Sequence, residues 1–326
     1  MKVSESVQKI DGALWMLHRV APDRPETVFQ KVDQETRITP EYLEKLIVEA
    51  KESGYRFLSL DQFLANKHAG KGSEKDIVVT IDDGYRDIYQ YAWPIFEKHQ
   101  VPFVFYVASD FIQFGFEHCK RPELDGGQLA MDIIYHHQNF EIGGKKYPAA
   151  SLEEKAACFN ALWKKFKRIK RFKPWASGRK LLQNLLPGYE MDFAKYKAEY
   201  VCSPEELREM NRSPLCTIGS HAKSHTPLFK IFLRTHLRRE LSESQQFLEN
   251  VLGEKVEHFS YPYGSYCKKV DGLVRRYYKS AAAVGSASHE GDVYCAGDDD
   301  YILPRVHVKT GLNPLTQVKM PAALRK

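Results

Sequence analysis

The chain has 326 residues, of which 43% are hydrophobic and 28% charged, and a formal net charge of +6. That length and apolar content can bury a sizeable core in one or two domains. The positive charge is modest, and no helix-turn-helix, zinc-finger or RNP-like pattern accompanies it, which excludes nucleic-acid binding as a function class.

In chain order, Met1 to Asp11 lacks the apolar centre of a signal peptide, and no run of 18 apolar residues occurs, so a cytoplasmic protein is expected. Trp15 to Leu17 reads as a first short strand ending at His18. A lone histidine at a strand end is more often structural, yet His18 is also a candidate for contacting substrate or supporting a site from behind. A helix is predicted over Pro40 to Ser53 and a strand over Arg56 to Leu60. Ile77 to Ile81 reads as a strand buried on both faces, and it leads directly into Asp82, Asp83 and Gly84. Two acids at a tight turn after such a strand can divide labour, one binding a metal while the other stays free as a base. The same dipeptide also suits a cap for the helix predicted over Tyr85 to Lys98.

After a strand at Phe103 to Val107, the stretch from about residue 111 to 201 is far longer than a normal strand-to-helix connection. Leu129 to Tyr135 and Leu152 to Phe172 look helical, so this stretch is expected to be a mostly helical insertion beside the mouth of the site. Within it, Lys164 to Lys173 carries seven basic residues in ten, with Phe166, Ile169 and Phe172 recurring every third position. Such a stripe suits docking on an anionic membrane surface or gripping a phosphate, and equally a solvated helix face packed through its aromatics.

Past a helix at Pro204 to Met210, the strand Cys216 to Ile218 is followed by His221 and His225, whose spacing presents both imidazoles to one centre on a single turn. A carboxylate and two histidines make the three-ligand count of a catalytic zinc with an open position. Helix Leu233 to Leu252 precedes a strand at His258 to Tyr261 and a punctuated loop, Pro262-Tyr263-Gly264. Strands at Ser280 to Val284 and Ile302 to Val308 close the chain. This alternation implies a parallel α/β arrangement, and periodicity does not separate a barrel from an open sheet. The six cysteines are scattered without a Cys-x2-Cys pair and are expected to be reduced thiols.

The Asp82-Asp83 turn, the His221/His225 segment and the Ser260-Tyr261-Pro262-Tyr263-Gly264 loop, in that order, resemble the polysaccharide deacetylase family, also called NodB-homology or carbohydrate esterase 4. The form of the third motif is similar to the branch that includes exopolysaccharide deacetylases. The resemblance spans about Leu17 to Lys309 and implies an α/β fold, an irregular (β/α)7 barrel, in a single catalytic domain over 1–326. It implies Asp82 as general base, Asp83, His221 and His225 as ligands of a divalent metal (zinc by default, cobalt, nickel or iron possible), the backbone N–H of Tyr263 as oxyanion donor, and His307 as general acid. An ordinary imidazole pKa suits that last role.

Three departures from the family pattern stand out. Ala222 replaces a hydroxyl residue, Ser260 stands where an arginine is usual, and the Asp-rich fourth motif has no counterpart. Arg305 is the candidate replacement for the missing cation beside Asp82. The expected activity is removal of an N-acetyl group from an amino sugar in a cell-surface glycan or its precursor. An anionic carrier or peripheral contact at the inner membrane face is expected through 164–173. Two other readings keep the fold: an amidohydrolase on a small cytosolic amide or imide, and an inactive glycan-binding protein.

Overall fold

In the computed structural model the described residues are 10–23, 36–115, 127–172, 178–266, 268–284, 294–295, 299–311 and 314–315. Seven parallel strands form a closed ring: β1 (Ile10–Leu17), β2 (Asp76–Ile81), β3 (Phe103–Val107), β4 (Cys216–Ser220), β5 (His258–Ser260), β6 (Ser280–Ala283) and β7 (Leu303–His307). Each strand pairs with its neighbour in sequence, and β1 closes the ring by pairing with both β2 and β7. The ring is irregular: β4 meets β5 through the single pair Ser220 and Phe259. Periodicity left barrel and open sheet undivided, and the β1–β2 pairing decides for the barrel.

Two layers of apolar side chains explain the closure. Leu14, Val78, Val104, Tyr106, Ala282 and Leu303 fill the barrel interior over Leu60, Phe63 and Leu64. The alternate residues Trp15, Val79, Phe103, Phe105 and Ile218 face outward under the helices, as the period of two requires. Gly219 allows this packing, since a Cβ there would lie 2.5 Å from the Tyr106 ring.

The helical layer comprises α1 (Pro40–Glu52), α2 (Leu60–His68), α3 (Trp93–His99), α4 (Ser109–Phe114), α5 (Gly127–Tyr135), α6 (Leu152–Phe172), α7 (Gly178–Leu185), α8 (Phe193–Tyr200), α9 (Pro204–Asn211), α10 (Arg234–Leu252) and α11 (Lys268–Tyr277). The strand expected over Arg56 to Leu60 stops at Phe57, because Ser59 and Gln62 form a reciprocal capping box that starts α2 at Leu60. The helix expected over Tyr85 to Lys98 is split, with a π-helical turn at Ile88–Ala92 before α3.

Between β3 and β4 lie α4 to α9 and a hairpin of Asn139–Ile142 with Lys145–Pro148 turned by Gly143 and Gly144. In α6, Phe166 is buried, Ile169 packs against the core and Lys165 Nζ donates to the Ile142 carbonyl at 2.7 Å. The stripe foreseen for a membrane or phosphate therefore faces inward at Phe166 and Ile169 and is exposed at Phe172, while Lys164, Lys167 and Arg168 are exposed beside it. Lys173 lies outside the described residues. At its far end this stretch returns to the aspartate turn: Val201 bridges Tyr85, and the Cys202 amide donates to the Gly84 carbonyl at 3.1 Å.

Candidate active site

Every sequence-predicted site residue lies at the C-terminal end of a barrel strand: His18 after β1, Asp82 and Asp83 after β2, His221 and His225 after β4, Tyr263 after β5, and Arg305 and His307 in β7. All of these except Arg305 line one cavity of about 390 Å³, together with Met16, Arg19, Thr36, Tyr85, Gly264 and Val284. Parallel strands bring their loops to one end, so residues over 280 positions apart in sequence share a wall.

The aspartate turn is fixed by backbone bonds on both sides. Asp82 N–H donates to the Leu17 carbonyl at 3.0 Å, extending the β1–β2 ladder by one residue, and Ala108 N–H donates to the Asp83 carbonyl at 3.0 Å. Asp83 adopts φ 86° and Gly84 φ 119°. Ala222, His225 and Tyr263 also have positive φ, at 61°, 50° and 61°. Left-handed backbone is costly for residues with a Cβ, and its concentration here marks a site held in shape by its surroundings. Gly264 is needed for closeness, since a Cβ on it would lie 2.2 Å from Val284.

Asp83 Oδ1 lies 3.6 Å from His221 Nε2 and 3.3 Å from His225 Nε2. The three side chains are buried, and their ligand atoms all lie within 4.8 Å of one another. Tetrahedral bonds of about 2.0–2.1 Å separate neighbouring ligand atoms by about 3.3 Å, so the donor types and the two Asp83–histidine spacings fit a divalent metal. His221 donates from Nδ1 to the Ser260 carbonyl at 2.8 Å, which leaves Nε2 with its lone pair toward the centre. Burial pulls His221 down to about 4, against the opposing pull of Asp82, so the imidazole is a neutral donor at pH 7.

Asp82 sits beside this cluster, its Oδ2 3.8 Å from His221 Nε2. The cation foreseen for it is in place: Arg305 grips it through both nitrogens of the fork. Burial works against ionisation of Asp82, but the charges of Arg305 and then His221 outweigh it and hold the carboxyl well below the usual carboxylate range. Ser260 Oγ lies 3.4 Å from Asp82 Oδ2, too long for a strong bond. Asp83 is likewise lowered: burial opposes ionisation, and the bond and charge of His225 overcome it.

His307 and His18 face each other edge to face with ring centroids 5.1 Å apart. Burial first, then the charges of His18 and Lys309, pull His307 down to about 3. The ordinary imidazole basicity expected of His307 is therefore not what the fold provides, because β7 carries the ring into a half-buried, cation-flanked position. The Tyr263 ring is exposed and lies 4.7 Å from that of His225.

Several supporting residues escape sequence reasoning. Buried Glu240 of α10 accepts from the Ser224 amide at 2.8 Å and from its hydroxyl at 2.7 Å, tying down the loop between the two histidines two residues after the hydroxyl-less Ala222. A glutamate on the same helix face as Leu237, Leu241 and Leu248 was the available signal. Arg19, bonded to Asp87 at 2.6 Å and stacked 4.3 Å over the Tyr85 ring, had none.

A profile of the polysaccharide deacetylase family matches residues 69–172 and 178–281. That span holds Asp82, Asp83, His221, His225 and Ser260 and ends before Arg305 and His307. None of the curated proteins matches the sequence. Among solved structures, the fold is similar to the Streptococcus pyogenes deacetylase PplD in complex with acetate, with TM-score 0.61 and 16% identity over 95% of this chain and 98% of that one. It is similar to IcaB from Ammonifex degensii, with TM-score 0.58 and 18% identity over 96% and 99% of the two chains. It is also similar to a de-N-acetylase from Aggregatibacter actinomycetemcomitans, with TM-score 0.55 and 17% identity over 94% and 98%. At these identities the likeness is one of fold.

Proposed function

The chain belongs to the polysaccharide deacetylase family, and from that premise we propose that it is a metal-dependent N-deacetylase acting on an N-acetylated amino sugar of a cell-surface glycan or its precursor. The observation that carries the reading is the position of ionised Asp82 beside the Asp83, His221 and His225 cluster in one open cavity. Those three residues would hold the metal, with zinc the default for two nitrogens and one oxygen. When bound, such an ion acidifies water and polarises an amide carbonyl.

The rest of the chemistry belongs to the chain's own groups. Asp82, fixed and kept ionised by Arg305, accepts the proton of the attacking water at Oδ2, the oxygen nearer the cluster. Strong stabilisation of its charge makes it a weak base, so Arg305 trades basicity for a defined protonation state and orientation. The backbone N–H of Tyr263 is assigned to the developing oxyanion. His307 starts neutral. It takes up a proton from solvent as negative charge builds on the oxyanion, because a nearby anion favours imidazolium, and gives that proton to the departing amine. His18 is assigned to holding the sugar beside His307. Exposed Lys164, Lys167 and Arg168 on α6 support an anionic carrier on the substrate.

The reading is tested by assaying acetate release from N-acetylglucosamine oligomers and nucleotide-linked N-acetyl sugars before chelation, after it, and after adding zinc back. Loss on chelation and recovery with metal is the expected outcome. Turnover confined to small amides would favour the amidohydrolase reading, and binding of oligomers without turnover in the metal-loaded protein would favour the inactive binding protein.

A further inference from the structure

The rim of the barrel beside the catalytic cavity carries a cluster of exposed apolar side chains that catalysis does not use. Phe229 is 45% exposed, Phe232 86% and Leu233 59%, all on the loop that leads from His225 into α10. Next to this group, Tyr263 and Val284, which line the catalytic cavity itself, are also exposed at the next two strand ends. The other exposed large hydrophobics among the described residues, Val48, Tyr91 and Phe172, sit apart on three separate helical segments. Scattered single apolar residues are ordinary, whereas a group gathered on one rim marks a contact surface.

Cations surround this group. Lys269, at the start of α11, donates to the carbonyls of Ile231 and Phe232, both at 3.2 Å, and its ammonium lies 5.7 Å from the Phe232 ring. Lys230 Nζ lies 5.7 Å from the Phe229 ring, and exposed Arg234 and Lys268 flank the loop. The nearest acids of α10 are engaged elsewhere, Glu240 by Ser224 and Glu243 by Lys223. An almost fully exposed aromatic ring beside an exposed leucine, with lysine ammonium groups 5.7 Å from the Phe229 and Phe232 rings, matches a segment that enters the boundary between acyl chains and anionic headgroups.

We propose that this rim docks on an anionic lipid bilayer, with Phe232 and Leu233 entering the acyl boundary and Lys230, Arg234 and Lys269 meeting headgroup phosphates. The surface is distinct from the basic stretch of α6, where Phe166 is buried and Phe172 is exposed without an exposed apolar neighbour among the described residues of that helix. Docking in this way places the mouth of the catalytic cavity at the membrane plane, where a glycan held at the surface reaches it. Only that last consequence rests on the proposed activity.

The test is co-sedimentation of the full chain with vesicles of phosphatidylcholine alone and of phosphatidylcholine mixed with phosphatidylglycerol. Wild type should bind the mixed vesicles, less so with added salt. Phe232→Ser with Leu233→Ser should weaken binding by at least about tenfold. Lys230→Gln with Arg234→Gln should lower both the affinity and its salt dependence. None of these four residues lines the cavity, so acetate release from a soluble oligomer and the thermal melt should be unchanged. The proposal is overturned if wild type remains in the supernatant with both vesicle types, or if the apolar variant binds as well as wild type, as it would were α6 the contact. It is equally overturned if that variant converts a dimer to a monomer with vesicle binding unaltered, since the rim would then serve a second copy of the chain. Failure to bind vesicles with acetate release intact would leave the proposed activity standing.

Discussion

The Arg305 guanidinium holds Asp82 by both carboxylate oxygens, Nη1 to Oδ1 at 2.7 Å and Nη2 to Oδ2 at 2.8 Å. The two residues lie 223 positions apart in sequence and flank β1 in the ring, Arg305 on β7 and Asp82 after β2. Arg305 Nη1 also reaches Thr80 Oγ1 at 3.5 Å, so the fork rests on the strand that carries its partner. A buried carboxylate without such a partner would take up a proton rather than stay charged. The cation that the family pattern places at position 260 is thus supplied to Asp82 from a different strand.

Removing one member of a buried pair leaves the other uncompensated. Arg305→Ala should therefore lose about 3–5 kcal/mol of stability in urea denaturation. Arg305→Lys should lie between it and wild type, keeping a charge without the planar fork. Asp82→Asn combined with Arg305→Met should be less destabilised than Arg305→Met alone, because both polar partners are then changed together. A loss below about 1 kcal/mol for Arg305→Ala would mean that the pair is not what keeps Asp82 in place.

The adjacent aspartates should separate by function. Asp82→Asn is expected to retain its metal and lose turnover, whereas Asp83→Asn should bind metal more weakly, because only Asp83 Oδ1 lies near both histidine Nε2 atoms. Elemental analysis beside an acetate assay distinguishes the two. Metal loss in Asp82→Asn with retention in Asp83→Asn would reverse the roles.

For His307, the variant His307→Ala should keep its metal and lose turnover by roughly 10²–10⁴-fold, the usual worth of a positioned acid. His18→Ala should act mainly on KM if His18 holds the sugar. Activity of His307→Ala within a few-fold of wild type would move the acid role elsewhere, His18 being the nearest imidazole.

The metal-free protein should weaken in mild acid. His221 stays neutral in the native state down to about 4, while in the unfolded chain it protonates near an ordinary value of about 6.5. Between those values the unfolded state binds the extra proton, so stability falls as pH drops, by about 2 kcal/mol near pH 5 for this residue. Asp82 acts further down: its lowered carboxyl stabilises the fold above the ordinary carboxylate pKa, and that contribution is lost as pH falls toward its folded value. Denaturation of metal-free wild type and His221→Gln at several pH values checks this. An equal slope in both proteins between about pH 5 and 7 would contradict it.

Much of the site was legible in sequence because strand ends in a parallel barrel are read locally. Apolar runs ending in Asp82-Asp83 and before His221 announce both the strand and the chemistry just after it, and the structure places those residues around one cavity. Arg305 could be suspected only from its nearness to His307. Its contact with Asp82 depends on the ring closing through β1, which no local pattern encodes. The perturbation of His307 was invisible for the same reason, since it comes from burial and from His18 at the opposite end of the chain. Helix α2 was missed although Ser59 and Gln62 spell a capping box, because the preceding residues, Arg56 to Leu58, continue the look of a strand. The Lys164 to Lys173 run shows the converse: its spacing gave the helix, but which face packs inward depended on what lay opposite, here the hairpin carbonyl of Ile142.

The central claim is that this cavity hydrolyses an acetamide with a metal held by Asp83, His221 and His225. The most direct measurement is acetate release from an N-acetylglucosamine oligomer by protein carrying about one zinc per chain, with His221→Ala and Asp82→Asn assayed in parallel. The account predicts equal amounts of acetate and free amine from wild type, with little metal or turnover in His221→Ala, and retained metal without turnover in Asp82→Asn. Zinc content unchanged by His221→Ala, or acetate released equally by wild type and Asp82→Asn, would contradict it.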